Sequence, residues 1–313
     1  MLQVKSNLSA VIFVVIASIF WGTTGTVSAL VPDVSPLAIG AFAMGVGGVL
    51  LVVNARKSLR NDRVKLISQP KVLLIGALCV AIYPLAFYSS MRLAGVAIGT
   101  VVSIASAPFF TVIMERLISN KPVTRKWIIS FIFGAVGVAL LTLGKTKNID
   151  LDVVASNQKW GVILGLVAGL SYAAYSWSAR QMIETGVDSK SAMAGMFGLA
   201  ATVLLPSLLF TGDNLFLDTK HITVALYMAI VPMFMGYLLF GQALKVIEAS
   251  RATLITLLEP IVATILAIVA VGEVFSSIGW FGMFLMVICL LLQVIKMPAI
   301  SKKRSLPNSP PLL

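Results

Sequence analysis

Ten runs of roughly twenty apolar residues, separated by short polar gaps, decide which folds are open to this chain. They cover about 10–31, 36–54, 71–91, 96–118, 125–143, 160–182, 190–210, 221–244, 250–271 and 277–296. As an α-helix, a run of that length crosses a hydrocarbon layer of about 30 Å at about 1.5 Å per residue, and only a helix satisfies its own backbone there. The expected fold is all-α and membrane-embedded, and composition agrees, with 58% hydrophobic and 12% charged residues. A net charge of +12 would suggest nucleic acid in a soluble chain. Here the cations lie in the gaps, where they set membrane orientation, so the expected surroundings are lipid and no nucleic-acid partner.

Counting lysine and arginine in alternate gaps gives nineteen on one side, among them the six between Arg56 and Lys71, and five on the other: Arg92, Lys145, Lys147, Lys159 and Lys220. The richer side is expected to be cytoplasmic, which places both termini inside. The first run lacks an A-x-A cleavage signal and reads as a retained helix. The halves also repeat at an offset of about 150 residues. Trp21 aligns with Tyr172, Tyr83-Pro84 with Val231-Pro232, and the stretch around Pro108 with that around Pro260. Five helices per half is an odd number, so the expected architecture is ten transmembrane helices in two inverted five-helix repeats, residues 1–148 and 149–297. The basic, proline-rich tail, 298–313, is expected to be disordered.

Glu259 is the one carboxylate in its run, roughly 13 Å deep when counted from Ser250. A charge near the bilayer centre costs about 2.5–3.5 kcal/mol on insertion scales, so a chain that keeps one has a use for it, here substrate or proton binding. Ala252, Thr256, Glu259, Ala263, Ala267 and Ala270 form one stripe at helical spacing, and the opposite face, Leu254, Leu257, Leu258, Ile261, Val262, Ile265, Ile268 and Val269, is expected to meet lipid. Pro260 frees the carbonyl near Thr256. Thr23 and Thr26, with Gly22 and Gly25, offer a polar face where backbone is accessible. Trp21, Tyr172 and Tyr175 lie too deep for an interfacial belt and are expected in a cavity wall, with Tyr83 and Tyr237 as weaker candidates beside Tyr88 and Gln242. Pro84, Pro108, Pro232 and Pro260 are the expected points of conformational change. Glu115, next to Arg116, reads as a solvated or salt-bridged helix end. Gly161, Gly165 and Gly169 read as a close-packing face.

Cys79 and Cys289 lack metal or redox spacing and read as packing residues, and the lone His221 is left out of the site. No metal or cofactor is expected. The chain has no G-x-x-x-x-G-K-[ST], H-E-x-x-H or G-x-S-x-G, so neither ATP hydrolysis nor another enzymatic activity is expected. No lysine or arginine occupies a helix centre, which favours a neutral, zwitterionic or cationic substrate over a phosphorylated anion.

FWGTTGT at 20–26, GVAIGTVVSIASAPFF at 95–110 and LLEPIVATILAIVAVGE at 257–273, with the two-repeat layout, resemble the EamA-type transporters of the drug/metabolite transporter superfamily. The resemblance implies a secondary transporter of the bacterial inner membrane, commonly an exporter of amino acids or related metabolites. Its cavity would be lined by the first, third, fourth, sixth, eighth and ninth helices. Members usually close the repeat unit with an acidic residue after glycine. The second half has Gly272-Glu273, where the first has Asn120-Lys121, so Glu273 is expected to be structural. The resulting expectation is a secondary active carrier of small metabolites, proton-coupled through Glu259. The alternatives are a facilitative sugar or nucleotide-sugar permease and, from other classes, a membrane-embedded transferase or a non-transporting scaffold.

Overall fold

The structure is a computed structural model that describes residues 2–94, 96–144, 158–266, 268–269 and 276–294. Ala267 and Ala270 of the ninth-run stripe, Lys145, Lys147, the Gly272-Glu273 pair and the tail from Pro298 lie outside the described residues. Among the described residues nine helices are long and apolar enough to cross a membrane: α1 (Asn7–Ser28), α2 (Pro36–Ile67), α3 (Pro70–Ala94), α4 (Ile98–Leu117), α5 (Arg125–Leu143), α6 (Gln158–Glu184), α7 (Ser189–Thr211), α8 (Thr219–Ala243) and α9 (Ala249–Leu266). The shorter α10 covers Ser277–Gln293. Among the described residues the fold is all-α, and its ten apolar helices follow one another as the apolar runs predict.

Without water there is little hydrophobic drive between membrane helices, so close packing decides which of them pair. Gly161 and Gly165 let α6 lie directly on α3, near enough for the Ser90 hydroxyl to donate to the Gly161 carbonyl at 2.7 Å. Gly169 lies equally close to the backbone of Ser103 on α4, so the glycine face packs as expected. The α5–α10 pair is also glycine-mediated, through Gly137 and Gly282.

That pair corrects one expectation. Leu254, Leu257 and Ile261 do not face lipid; they are buried with Trp127, Val138 and Met286, because α5 and α10 cover that side of α9. Only its far end, with Ile265 and Val269, remains exposed. A second correction concerns the basic gap after Asn54, which is helical to Ile67 and extends α2 beyond its apolar run. Its Asp62 is buried, accepting the backbone N–H of Asp188 at 2.9 Å and pairing with Lys65 at 3.0 Å.

Three helices are irregular where the site forms. In α1 the ladder breaks at Thr23, where the hydroxyls of Thr23 and Thr24 both bond back to carbonyls, Phe20 and Trp21, at 2.7 Å. In α8, Ala229–Met235 around Pro232 is a π-helical turn. In α9, Thr256–Leu258 tightens to a 3₁₀ turn ahead of Pro260.

Candidate functional site

The irregular turns of α1, α8 and α9 meet near the interface of the halves, around a cavity of about 50 Å³. Since one water needs about 10–15 Å³ by the same measure, this is room for a few waters. Trp21 and Thr24 of α1, Gly40 and Met44 of α2, and Tyr83, Pro84, Phe87 and Tyr88 of α3 come from the first half. Tyr172, Tyr175, Met233, Tyr237 and Glu259 come from the second.

The rings form an unbroken wall. Trp21 lies 4.9 Å from Tyr237 between centroids and 6.5 Å from Tyr172, while Tyr83 lies 5.7 Å from both Tyr172 and Phe87. Tyr88 continues the wall 5.4 Å beyond Phe87. Close approach at Gly40 permits this, since a Cβ there would come within 2.5 Å of the Tyr88 ring.

Several polar tips are already paired. Trp21 Nε1 donates to the Pro232 carbonyl at 2.8 Å, Tyr175 and Tyr237 share a hydroxyl bond of 2.9 Å, and Tyr172 donates to Thr256 Oγ1 at 3.1 Å. Among the described residues the hydroxyls of Tyr83 and Tyr88 and the Glu259 carboxyl have no such partner. No described lysine, arginine or histidine lines the cavity. The chemistry on offer is therefore one unpaired carboxyl, two phenol groups and an aromatic surface whose ring faces attract cations.

Of the expected site residues, Glu259, Trp21, Tyr83, Tyr172, Tyr175, Tyr237 and Pro84 meet at this cavity. Thr256 stands behind Tyr172 as its acceptor. Thr23 and Thr26 do not line it: the break in α1 turns Thr24 to the cavity instead, and Thr23 bonds to the Tyr227 hydroxyl at 2.9 Å. Pro108, Pro232 and Pro260 are buried in the helices around it. The helix set also needs correction, because no residue of α4 reaches the cavity and α2 takes its place. Helix α4 lies behind, where Thr253 of α9 donates to Thr111 at 3.4 Å. Its Glu115 is neither solvated nor an exposed ion pair; it is buried and accepts the Ser250 backbone N–H at 3.2 Å.

The profile of the family described as EamA-like transporter family matches residues 8–143 and, a second time, 159–295. The chain belongs to the EamA-like transporter family. Similar chains include the uncharacterized transporter YwfM of Bacillus subtilis strain 168, 34% identical over 92% of this chain and 94% of the relative. The uncharacterized inner membrane transporter YedA of Escherichia coli K12 is 26% identical over 61% and 60% of the two chains. A protein of known crystal structure, 16% identical, superposes with a TM-score of 0.76 over 91% of this chain and 96% of the other, which bears on the fold alone. As an EamA-like transporter the chain is a multi-pass membrane protein that moves a small molecule across a bilayer. Gly40, Met44, Phe87 and Met233 are wall residues of this EamA-like transporter that carried no sequence signal, since a small or apolar residue in an apolar run looks the same facing a cavity or a neighbour.

Proposed function

We propose that this protein is a secondary active exporter of small metabolites bearing an amine nitrogen, amino acids included, driven by protons that compete for Glu259. The observation that carries this reading is the Glu259 carboxyl, which has no protein partner among the described residues and faces an aromatic cavity without a cation. Such a group is satisfied by a proton or by a substrate ammonium, and binding one displaces the other. The aromatic faces would hold the cation, with the free Tyr83 and Tyr88 hydroxyls accepting its N–H groups.

The halves, taken as residues 1–148 and 149–297, would rock about this cavity, since a chamber sized for a few waters admits a metabolite only when they part. Pro84, Pro108, Pro232 and Pro260 would be the hinges. We place the protein in the bacterial inner membrane with both termini in the cytoplasm, on the distribution of its basic residues. A facilitative sugar permease needs no coupling carboxylate, and it would not accumulate solute against a gradient.

Proteoliposomes with an imposed pH gradient test the reading on a panel of labelled amines and amino acids. Wild type should accumulate one of them, and Glu259→Gln should abolish the accumulation; accumulation at the wild-type rate in the variant would remove Glu259 from coupling.

A further inference from the structure

Among the described residues that line the central cavity there is one carboxyl, Glu259, and no lysine, arginine or histidine. An amine seated there with its ammonium against the Glu259 carboxylate forms a neutral pair. An amino acid brings a carboxylate of its own, so its complex carries one net negative charge. Taking an uncompensated charge out of water is costly, and the neutral pair avoids that cost.

Hydrogen bonds do not make up the difference. A substrate carboxylate presents about four acceptor sites. The Trp21 indole N–H already donates to the Pro232 carbonyl at 2.8 Å, and the Thr24 hydroxyl to the Trp21 carbonyl at 2.7 Å. Tyr172 donates to Thr256, and Tyr175 and Tyr237 share one bond, which leaves a single free hydroxyl hydrogen between them. Tyr83 and Tyr88 add one phenol hydrogen each. Pro260, next to Glu259, has no N–H to give. The donors that remain are neutral, and none is the guanidinium or ammonium that holds a carboxylate in apolar surroundings. The rest of the wall, with the rings of Trp21, Phe87 and Tyr172 and the side chains of Met44 and Met233, suits the body of an amine and not a second ion.

We infer that this cavity prefers a monocationic amine with an apolar or aromatic body over the amino acid that shares that body. The preference rests on Glu259 holding the substrate ammonium, as proposed above.

Equilibrium dialysis of the detergent-purified full chain against radiolabelled phenethylamine, phenylalaninol and phenylalanine tests it at neutral pH. All three share a ring and an ammonium, and the last two differ in whether the added group is an uncharged hydroxymethyl or a carboxylate. Wild type should bind phenethylamine and phenylalaninol within about tenfold of each other, and phenylalanine about a hundredfold more weakly. Glu259→Gln, shown to be folded by its melting curve, should lose both amines. Phenylalanine bound as tightly as phenylalaninol, and lost in Glu259→Gln, overturns the preference and leaves Glu259 as the ammonium site. Binding of neither amine by wild type also overturns the preference. Retention of the amines at wild-type affinity in Glu259→Gln overturns the assignment of that carboxyl, and the preference with it. Should the variant fail to fold, phenethylamine affinity in the wild type serves in its place. It should fall as the pH is lowered, because the other titratable groups lining the cavity are phenols that keep their protons in that range. A pH-independent affinity would have the same meaning as retention in the variant.

Discussion

Trp21 of α1 donates its indole N–H to the carbonyl of Pro232 in α8, 2.8 Å away, and so ties the broken end of one half to the π-helical turn of the other. Both residues are buried, so the bond has little competition from water. Trp21→Phe keeps a ring in the wall and leaves that carbonyl without its donor, at a cost of about 1–3 kcal/mol. The melting temperature in detergent should fall by several degrees, and transport should slow. Gly236→Ala should act in the same direction, because its Cβ would sit 2.8 Å from Trp21 Nε1 and force the ring aside. A Trp21→Phe protein with wild-type melting and transport would show that the bond holds nothing in place.

Pro260 sets the shape of α9. Without its N–H the carbonyl of Thr256 has no donor one turn on, and the chain tightens into the 3₁₀ turn at Thr256–Leu258 immediately before Glu259. Pro260→Ala restores the donor and should straighten the helix, moving the carboxyl relative to Tyr83 and Tyr88. The expected outcome is an unchanged or raised melting temperature with transport reduced several-fold, read in the same proteoliposomes. Pro108→Ala should likewise impair turnover more than folding, although Pro108 lies outside the cavity. Normal transport in both variants would remove the prolines from the mechanism.

What the sequence conveyed about this site followed from the cost of polarity in lipid. Glu259, Trp21 and Tyr175 stood out because a carboxyl, an indole and a phenol deep in apolar runs need a reason to be there. Thr23 was one residue out, since helical spacing carried through a break that the hydroxyls themselves create. Helix α2 gave no signal at the cavity because Gly40 and Met44 are unremarkable in an apolar run. Its extension past Asn54 was readable in principle. Ala55, Asp62 and Leu66 are buried at helical spacing in that basic stretch, so the end of the apolar run is not the end of the helix.

On the face away from most of the basic residues, His221 joins the halves. Its ring nitrogens meet Asp218 at 2.7 Å and both oxygens of Asp33 at 3.1 Å. The hydrogen bond from His221 holds each of these two carboxyls below its ordinary value of 3.8. A carboxyl with a lowered folded-state pKa contributes stability that is complete above its unfolded value and is lost as pH falls through the folded one. Melting temperature should therefore hold down to about pH 4 and then drop. In Asp33→Asn that acid-side drop should shrink; an identical pH profile in the variant would show that the pair contributes nothing.

At the opposite end Lys121, from the loop between α4 and α5 in the first half, bridges Glu184 at the end of α6 and Glu248 before α9. Arg180 bonds Glu184 at 2.8 Å and reaches the Leu244 carbonyl, closing a network that spans the halves. All four side chains keep some exposure, and pairs of this kind are worth about 0–1 kcal/mol each. Lys121→Ala should therefore lower the melting temperature by only a degree or two. Its larger effect belongs to the equilibrium between open and closed ends, where about 1 kcal/mol shifts populations roughly fivefold. A membrane-impermeant thiol reagent applied from this side should label a cysteine at the Tyr88 position several times faster in Lys121→Ala than in the parent, and added salt should speed the parent more than the variant. Equal labelling rates at every salt concentration would mean that the network is surface ornament and that the end facing the basic gaps is held shut by apolar packing alone.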